Sequence, residues 1–88
     1  LRIAPPPVAR GRILAFHVCD WLRETRDLVT DRGMMGDGVI DIAALRAAVD
    51  AAGYDGPIEV EVFSARDWWR RDPEEVLGMM KQRFERCV

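Results

Sequence analysis

The sequence predicts an α/β fold in which strand, helix, strand and helix follow one another, and three observations carry that expectation. Residues 13–19, Ile-Leu-Ala-Phe-His-Val-Cys, form a nearly continuous apolar run, the pattern of a strand covered on both faces. Residues 41–52 repeat apolar side chains at helical spacing. Residues 58–63, Ile-Glu-Val-Glu-Val-Phe, alternate with the period of a strand. Two strands joined through a helix pair in parallel, by a right-handed crossover.

At 88 residues the chain makes at most one small domain, and a chain this short buries only about 60 to 65% of the surface it exposes when unfolded. With 13 Lys and Arg against 15 Asp and Glu, the balance is slightly acidic, which argues against a nucleic-acid face. No run approaches the roughly 18 apolar residues of a membrane span, and the opening residues lack the apolar centre of a signal peptide. A cytoplasmic protein is expected. Cys19 and Cys87 make neither a disulfide framework nor a zinc-type pair, so both are expected as reduced thiols.

Residues 1–12 contain three consecutive prolines, which favour an extended polyproline conformation and remove backbone donors. They are expected to be a connector. The chain opens on Leu inside this connector and is therefore expected to be a piece of something longer, with residues 13–88 as its folded segment.

In the first strand, alternation places Ala15, His17 and Cys19 on one face and Leu14, Phe16 and Val18 on the other. Residues 20–38 then form a long loop with three arginines, Arg23, Arg26 and Arg32, and three glycines near its end. Loops of that length inside compact units are usually functional or disordered, and this composition favours function. The first helix has Asp41 as its N-cap, Ile42, Leu45, Val49 and Ala52 as its buried stripe and Gly53 past its end. After the turn at residues 54–57, the second strand carries Ile58, Val60 and Val62 on one face and Glu59, Glu61 and Phe63 on the other. Asp72-Pro73-Glu74-Glu75 combines a capping Asp, a Pro at the first helical position and acids in the first turn. The helix that follows is expected to reach about Cys87, with Val76, Met79, Met80, Phe84 and Cys87 facing inward.

Two parallel strands alone leave one sheet face uncovered, and His17, Cys19, Glu59 and Glu61 lie on it. His17 and Glu61 stand near the C-terminal ends of successive strands, where α/β folds place their sites. A lone imidazole in an apolar strand is equally readable as a buried group bonded to a neighbour. For the two glutamates a solvated face is the weaker reading, since parallel sheets rarely have one, and carboxylates buried there need a cation.

Residues 16–21 (Phe-His-Val-Cys-Asp-Trp), the turn at 33–41, the Gly-Tyr-Asp-Gly link at 53–56 and the Ile-Glu-Val-Glu-Val-Phe strand at 58–63 occur here in one order and spacing. Together they resemble the C-terminal part of the sugar phosphate isomerase/epimerase family, the xylose isomerase-like TIM barrels. The resemblance implies a partial (β/α)8 TIM barrel, with this chain as its last two βα units. It implies a divalent metal at the barrel mouth, held by two side chains from earlier strands, a His from the seventh strand and a Glu from the eighth. The last two correspond to His17 and Glu61. The metals implied are Mn, Mg, Co or Zn. The implied reaction on a sugar or sugar phosphate runs through an enediolate held by the metal, with Glu61 both ligand and proton carrier. Two ligands and most of the strands would lie outside this chain, so the chain alone is expected to be inactive without the missing barrel half or self-association.

Within the same superfamily, an endonuclease IV type of nuclease would also place an Asp three residues after the strand His, as Asp20 follows His17. It needs more histidines than the single one present. An inosose dehydratase-like lyase begins with the same proton abstraction and stays open as an alternative, as does a non-catalytic fragment that associates through its uncovered sheet face. Asp20 and Glu59 are expected behind the ligands without touching the metal, Asp20 orienting His17. Arg32 is the arginine expected to bind substrate, through a phosphate or carboxylate. Trp21 is expected to stack on a sugar ring. The Met34-Met35 and Met79-Met80 pairs read as packing.

Overall fold

The computed structural model describes residues 10–88, so most of the expected connector lies outside the described residues. The expected element order holds. Strand β1 is Phe16–Val18, helix α1 is Ile42–Ala51, strand β2 is Ile58–Val60, a 3-10 turn follows at Trp68–Arg70, and helix α2 is Pro73–Cys87. The strands pair in parallel, with Phe16 opposite Ile58, His17 opposite Glu59 and Val18 opposite Val60.

Both strands are shorter than the expected runs of 13–19 and 58–63, and the cause at their C-terminal ends is visible. The ladder continues one bond further, from the Glu61 amide to the Val18 carbonyl at 2.9 Å. Beyond that, residues 31–33 enter between the two chains. Asp20 and Gly33 exchange both backbone bonds, at 2.8 and 2.9 Å, while the Arg32 amide bonds Phe63 and the Ala65 amide bonds Thr30. The backbone groups that would have extended the parallel pair are satisfied by this inserted segment instead. At the N-terminal end Leu14 is 94% exposed, and Pro57 has no amide to donate.

The loop that supplies the insertion is organised by one carboxylate. Asp20 is completely buried. Its Oδ2 accepts from the amides of Gly36 and Gly38, both at 2.9 Å, and its Oδ1 from those of Trp21 and Ile40, at 2.8 and 3.0 Å. Four donors on one carboxylate satisfy its charge without a cation. A Cβ at residue 38 would overlap the Trp21 carbonyl and the Asp20 carboxylate, so the close approach requires Gly38. Gly36, at φ 92°, turns the chain so that both amides point inward.

With the loop closed in this way, Met34 and Met35 become its contribution to the core. Both are fully buried, in a cluster with Val18, Ile42, Val62 and Trp68. Phe16, Val76, Met79, Met80, Phe84 and Cys87 pack around this cluster, so the expected inner stripe of α2 is the one observed. Helix α1 follows expectation at its ends, where Asp41 Oδ1 accepts from the Ala44 amide at 3.1 Å and Ile42 and Ala52 are buried. Leu45 and Val49 between them are only half-buried. Arg83 ties α2 back to the loop, donating to the Met35 carbonyl at 2.8 Å and the Asp37 carboxylate at 2.7 Å.

Replacing Asp20 strands four amides in a dry environment. Asp20→Ala is expected to lower stability by about 3 kcal/mol in urea unfolding, and Asp20→Asn by less, because the amide keeps one acceptor oxygen. An unchanged midpoint for Asp20→Ala would remove the carboxylate from its organising role.

Candidate functional site

Three side chains from the two strands meet on the uncovered sheet face. His17 Nδ1 lies 2.6 Å from Glu61 Oε2, and His17 Nε2 lies 3.2 Å from Glu59 Oε2. The parallel register produces this arrangement. His17 is directly opposite Glu59, and Glu61, two residues on and on the same side of the pleat, reaches the other edge of the ring. The Glu61 side chain is 38% exposed and that of Glu59 63% exposed, so the glutamate nearer the strand ends is the more enclosed.

The expected Asp20–His17 contact is not formed. Asp20 spends both oxygens on backbone amides, and the carboxylates on His17 are the two glutamates. Arg32 and Trp21 are brought together, but on one another. The Arg32 guanidinium lies 5.1 Å from the centre of the Trp21 ring, its Nε donates to the Leu28 carbonyl at 2.9 Å, and its Nη1 is 3.8 Å from Cys19 Sγ. One indole face is thereby occupied by a cation. Since Cys19 follows His17 by two residues, Arg32 borders the site through it. Both cysteines are free. Trp68 is core, whereas Trp69 is 57% exposed and tilted against Phe63 at 5.6 Å.

Arg26 is not available to a substrate. Its guanidinium bonds both oxygens of the buried Asp31, at 2.8 and 3.0 Å, and its amide bonds the same carboxylate at 2.8 Å. These bonds, with the neighbouring guanidinium charge, lower the Asp31 pKa to about 2. Asp31 and Ser64 form the bridge that fastens the loop after β1 to the loop after β2. Neither Asp31 nor Arg83 stood out in the sequence as a structural tie. The nearest signal for Asp31 was its place immediately before Arg32-Gly33.

An imidazole nitrogen and a carboxylate oxygen converging at 2.6 Å suit part of a mixed nitrogen and oxygen metal shell. Among the described residues, no group of three or more His, Cys, Asp or Glu side chains is placed to hold a metal ion. His17 and Glu61 bring one imidazole nitrogen and one carboxylate oxygen together.

Comparison with known proteins decides the family. The sequence profile described as xylose isomerase-like TIM barrel matches residues 4–83. The chain belongs to the xylose isomerase-like TIM barrel family. Among solved structures, the crystal structure of protein SMc04130 from Sinorhizobium meliloti 1021 matches with a TM-score of 0.86 and 51% sequence identity, over 89% of this chain. The match takes in 28% of that protein's chain, so this chain spans little more than a quarter of its relative. No curated protein matches. The two parallel strands and two helices are consistent with part of such a barrel. No described helix is long and apolar enough to cross a membrane.

The Asp31 pair makes the loop acid-sensitive. A carboxylate held at about 2 against its ordinary 3.8 contributes stability that is fully present above about pH 4 and is lost as pH falls towards 2. Acid unfolding of the chain is expected to flatten over that window in Asp31→Asn. An unchanged acid limb would show that the pair is not ionised in the fold.

Proposed function

We propose that this chain forms the closing βα units of a metal-dependent sugar or sugar phosphate isomerase/epimerase, with His17 and Glu61 as its share of the metal ligands. The observation that carries this reading is the 2.6 Å approach of His17 Nδ1 to Glu61 Oε2 at the C-terminal ends of parallel strands, where barrels of this family architecture build sites. The family membership supports the same chemistry. The set of metals that suits an imidazole and a carboxylate includes Mn, Co and Zn, with Mg served mainly by oxygen donors.

When bound, the cation would polarise a carbonyl and stabilise the negative charge that develops as the adjacent carbon loses its proton. Within this chain, the strand pair fixes His17 and Glu61 relative to one another. The Glu61 oxygen not facing His17 takes the proton from carbon and can return it to a neighbouring position. Arg32, held by Trp21, Cys19 and the Leu28 carbonyl, presents its remaining N–H groups to an anionic or hydroxyl group of the substrate. The unbridged cysteines accord with a cytoplasmic setting.

One observation favours association as well. Ile58 and Val60 of β2 and Leu77, Met80 and Phe84 of α2 line an apolar groove, with Lys81 and Glu85 at its rim. On its own the 88-residue chain would cover this surface by self-association, and in a whole barrel by further βα units. On size-exclusion chromatography the 88-residue chain is expected to elute above monomer size, and substitution of the exposed groove residue Leu77→Glu to shift it towards monomer. A well-behaved monomer at all concentrations contradicts the association reading.

In the polypeptide that carries the whole barrel, His17→Ala is expected to weaken manganese or zinc binding at least tenfold in calorimetric titration. Glu61→Gln is expected to lower kcat about 10²- to 10⁴-fold. Equal metal affinity in wild type and His17→Ala would remove His17 from the site.

A further inference from the structure

Helix α2 carries its free charges in a self-complementary order. Glu74, Leu77, Gly78 and Lys81 lie at i, i+3, i+4 and i+7 and so share one face of the helix, and all four are exposed. Leu77 is 55% exposed, a ridge between the groove lined by Ile58, Val60 and Phe84 and a second apolar hollow lined by Trp69 and Pro73. A Cβ at Gly78 would meet no atom within 4 Å. Nothing inside the chain therefore requires a glycine at this position, where it weakens the helix.

Two charges of α2 are spent within the chain, Glu75 on Arg71 and Arg83 on Asp37. Glu74 and Lys81 are in no ion pair among the described residues, and Lys81 does not reach Glu85 one turn on. Seven residues span about 10.5 Å of helix, too far for Glu74 and Lys81 to pair with each other. They are opposite in sign and flank the Leu77-Gly78 step. A two-fold axis through that step puts Glu74 of each copy beside Lys81 of the other, and Leu77 of each over the other's Gly78. The free outer edge of β2 is the competing route to a pair, and it would set Glu59 and Glu61 of one copy against those of the other. The charges favour the helix face.

We infer that the occupant of this groove is a second copy of the chain, seated with the two α2 helices antiparallel and crossing at Leu77 and Gly78. The inference rests on the association proposed above and adds the partner, its orientation and the contacts that fix it. Gly78 lets the partner helix approach closely, and Leu77 of each copy fills the space that the missing side chain leaves. The two Glu74 to Lys81 contacts select the orientation, since a parallel pair would set Glu74 on Glu74 and Lys81 on Lys81.

The test is sedimentation equilibrium of the 88-residue chain over a range of concentrations. Wild type is expected as a dimer and nothing larger. Glu74→Lys and Lys81→Glu, each alone, place like charges at both contacts and are expected to weaken the dimer about tenfold. Mixed in equal amounts, the two variants form a pair in which both contacts are again of opposite sign, and wild-type affinity is expected to return. Gly78→Leu is expected to keep the helical circular dichroism and weaken the dimer by about tenfold or more. Single variants as tight as wild type, no gain on mixing, an unweakened Gly78→Leu dimer or assembly beyond a dimer overturns the antiparallel pair while leaving association at the groove. A wild-type monomer at all concentrations overturns the association reading itself.

Discussion

Four backbone amides converge on the Asp20 carboxylate, and the rest of the structure depends on that convergence. A buried carboxylate without partners would be prohibitively expensive, and a long loop without secondary structure would be costly to order. Each problem solves the other. The amides of Trp21, Gly36, Gly38 and Ile40 satisfy the charge, and the charge folds the loop tightly enough to bury Met34 and Met35. These two side chains join the sheet residues Val18 and Val62 to Ile42 of α1 in a single cluster. Arg83 then fastens α2 to the same loop.

The second consequence reaches the site. With Asp20 holding its base, the loop sends residues 31–33 between the ends of β1 and β2, where the bonded pair of Arg26 and Asp31 keeps them in place. The strands separate after Val18 and Glu61. That separation leaves His17 and Glu61 at an opening, while the pairing just behind them fixes their spacing. Rigidity below and a gap above are what a site at strand ends requires, since the groups that act there must be held by elements that do not move.

Much of this was legible in the sequence because it is periodic. Alternation along 58–63 placed both glutamates on one face with His17, and the caps at Asp41 and Asp72 marked both helix starts. The strand ends were not legible, because they are set by an insertion from a distant loop and not by the strand residues. Asp20 looked like a neighbour for His17 because the two are close in sequence, yet its partners lie up to twenty residues away. The spacing of Gly36 and Gly38, which lets two amides approach one oxygen, was the one local signal of its role. Trp21 and Arg32 were each expected as substrate contacts, but nothing in the sequence showed that they would pair with one another. Trp68 and Trp69 are adjacent, and only the 3-10 turn decides that one is core and the other exposed.

The account comes down to one atomic claim, that a cation at the strand ends sits between His17 Nδ1 and Glu61. Anomalous diffraction at the zinc edge, on crystals of the whole-barrel polypeptide grown with zinc, measures this directly. The predicted result is a peak about 2.0–2.2 Å from both His17 Nδ1 and a Glu61 oxygen. A peak on Nε2 beside Glu59, or none near His17, would contradict it.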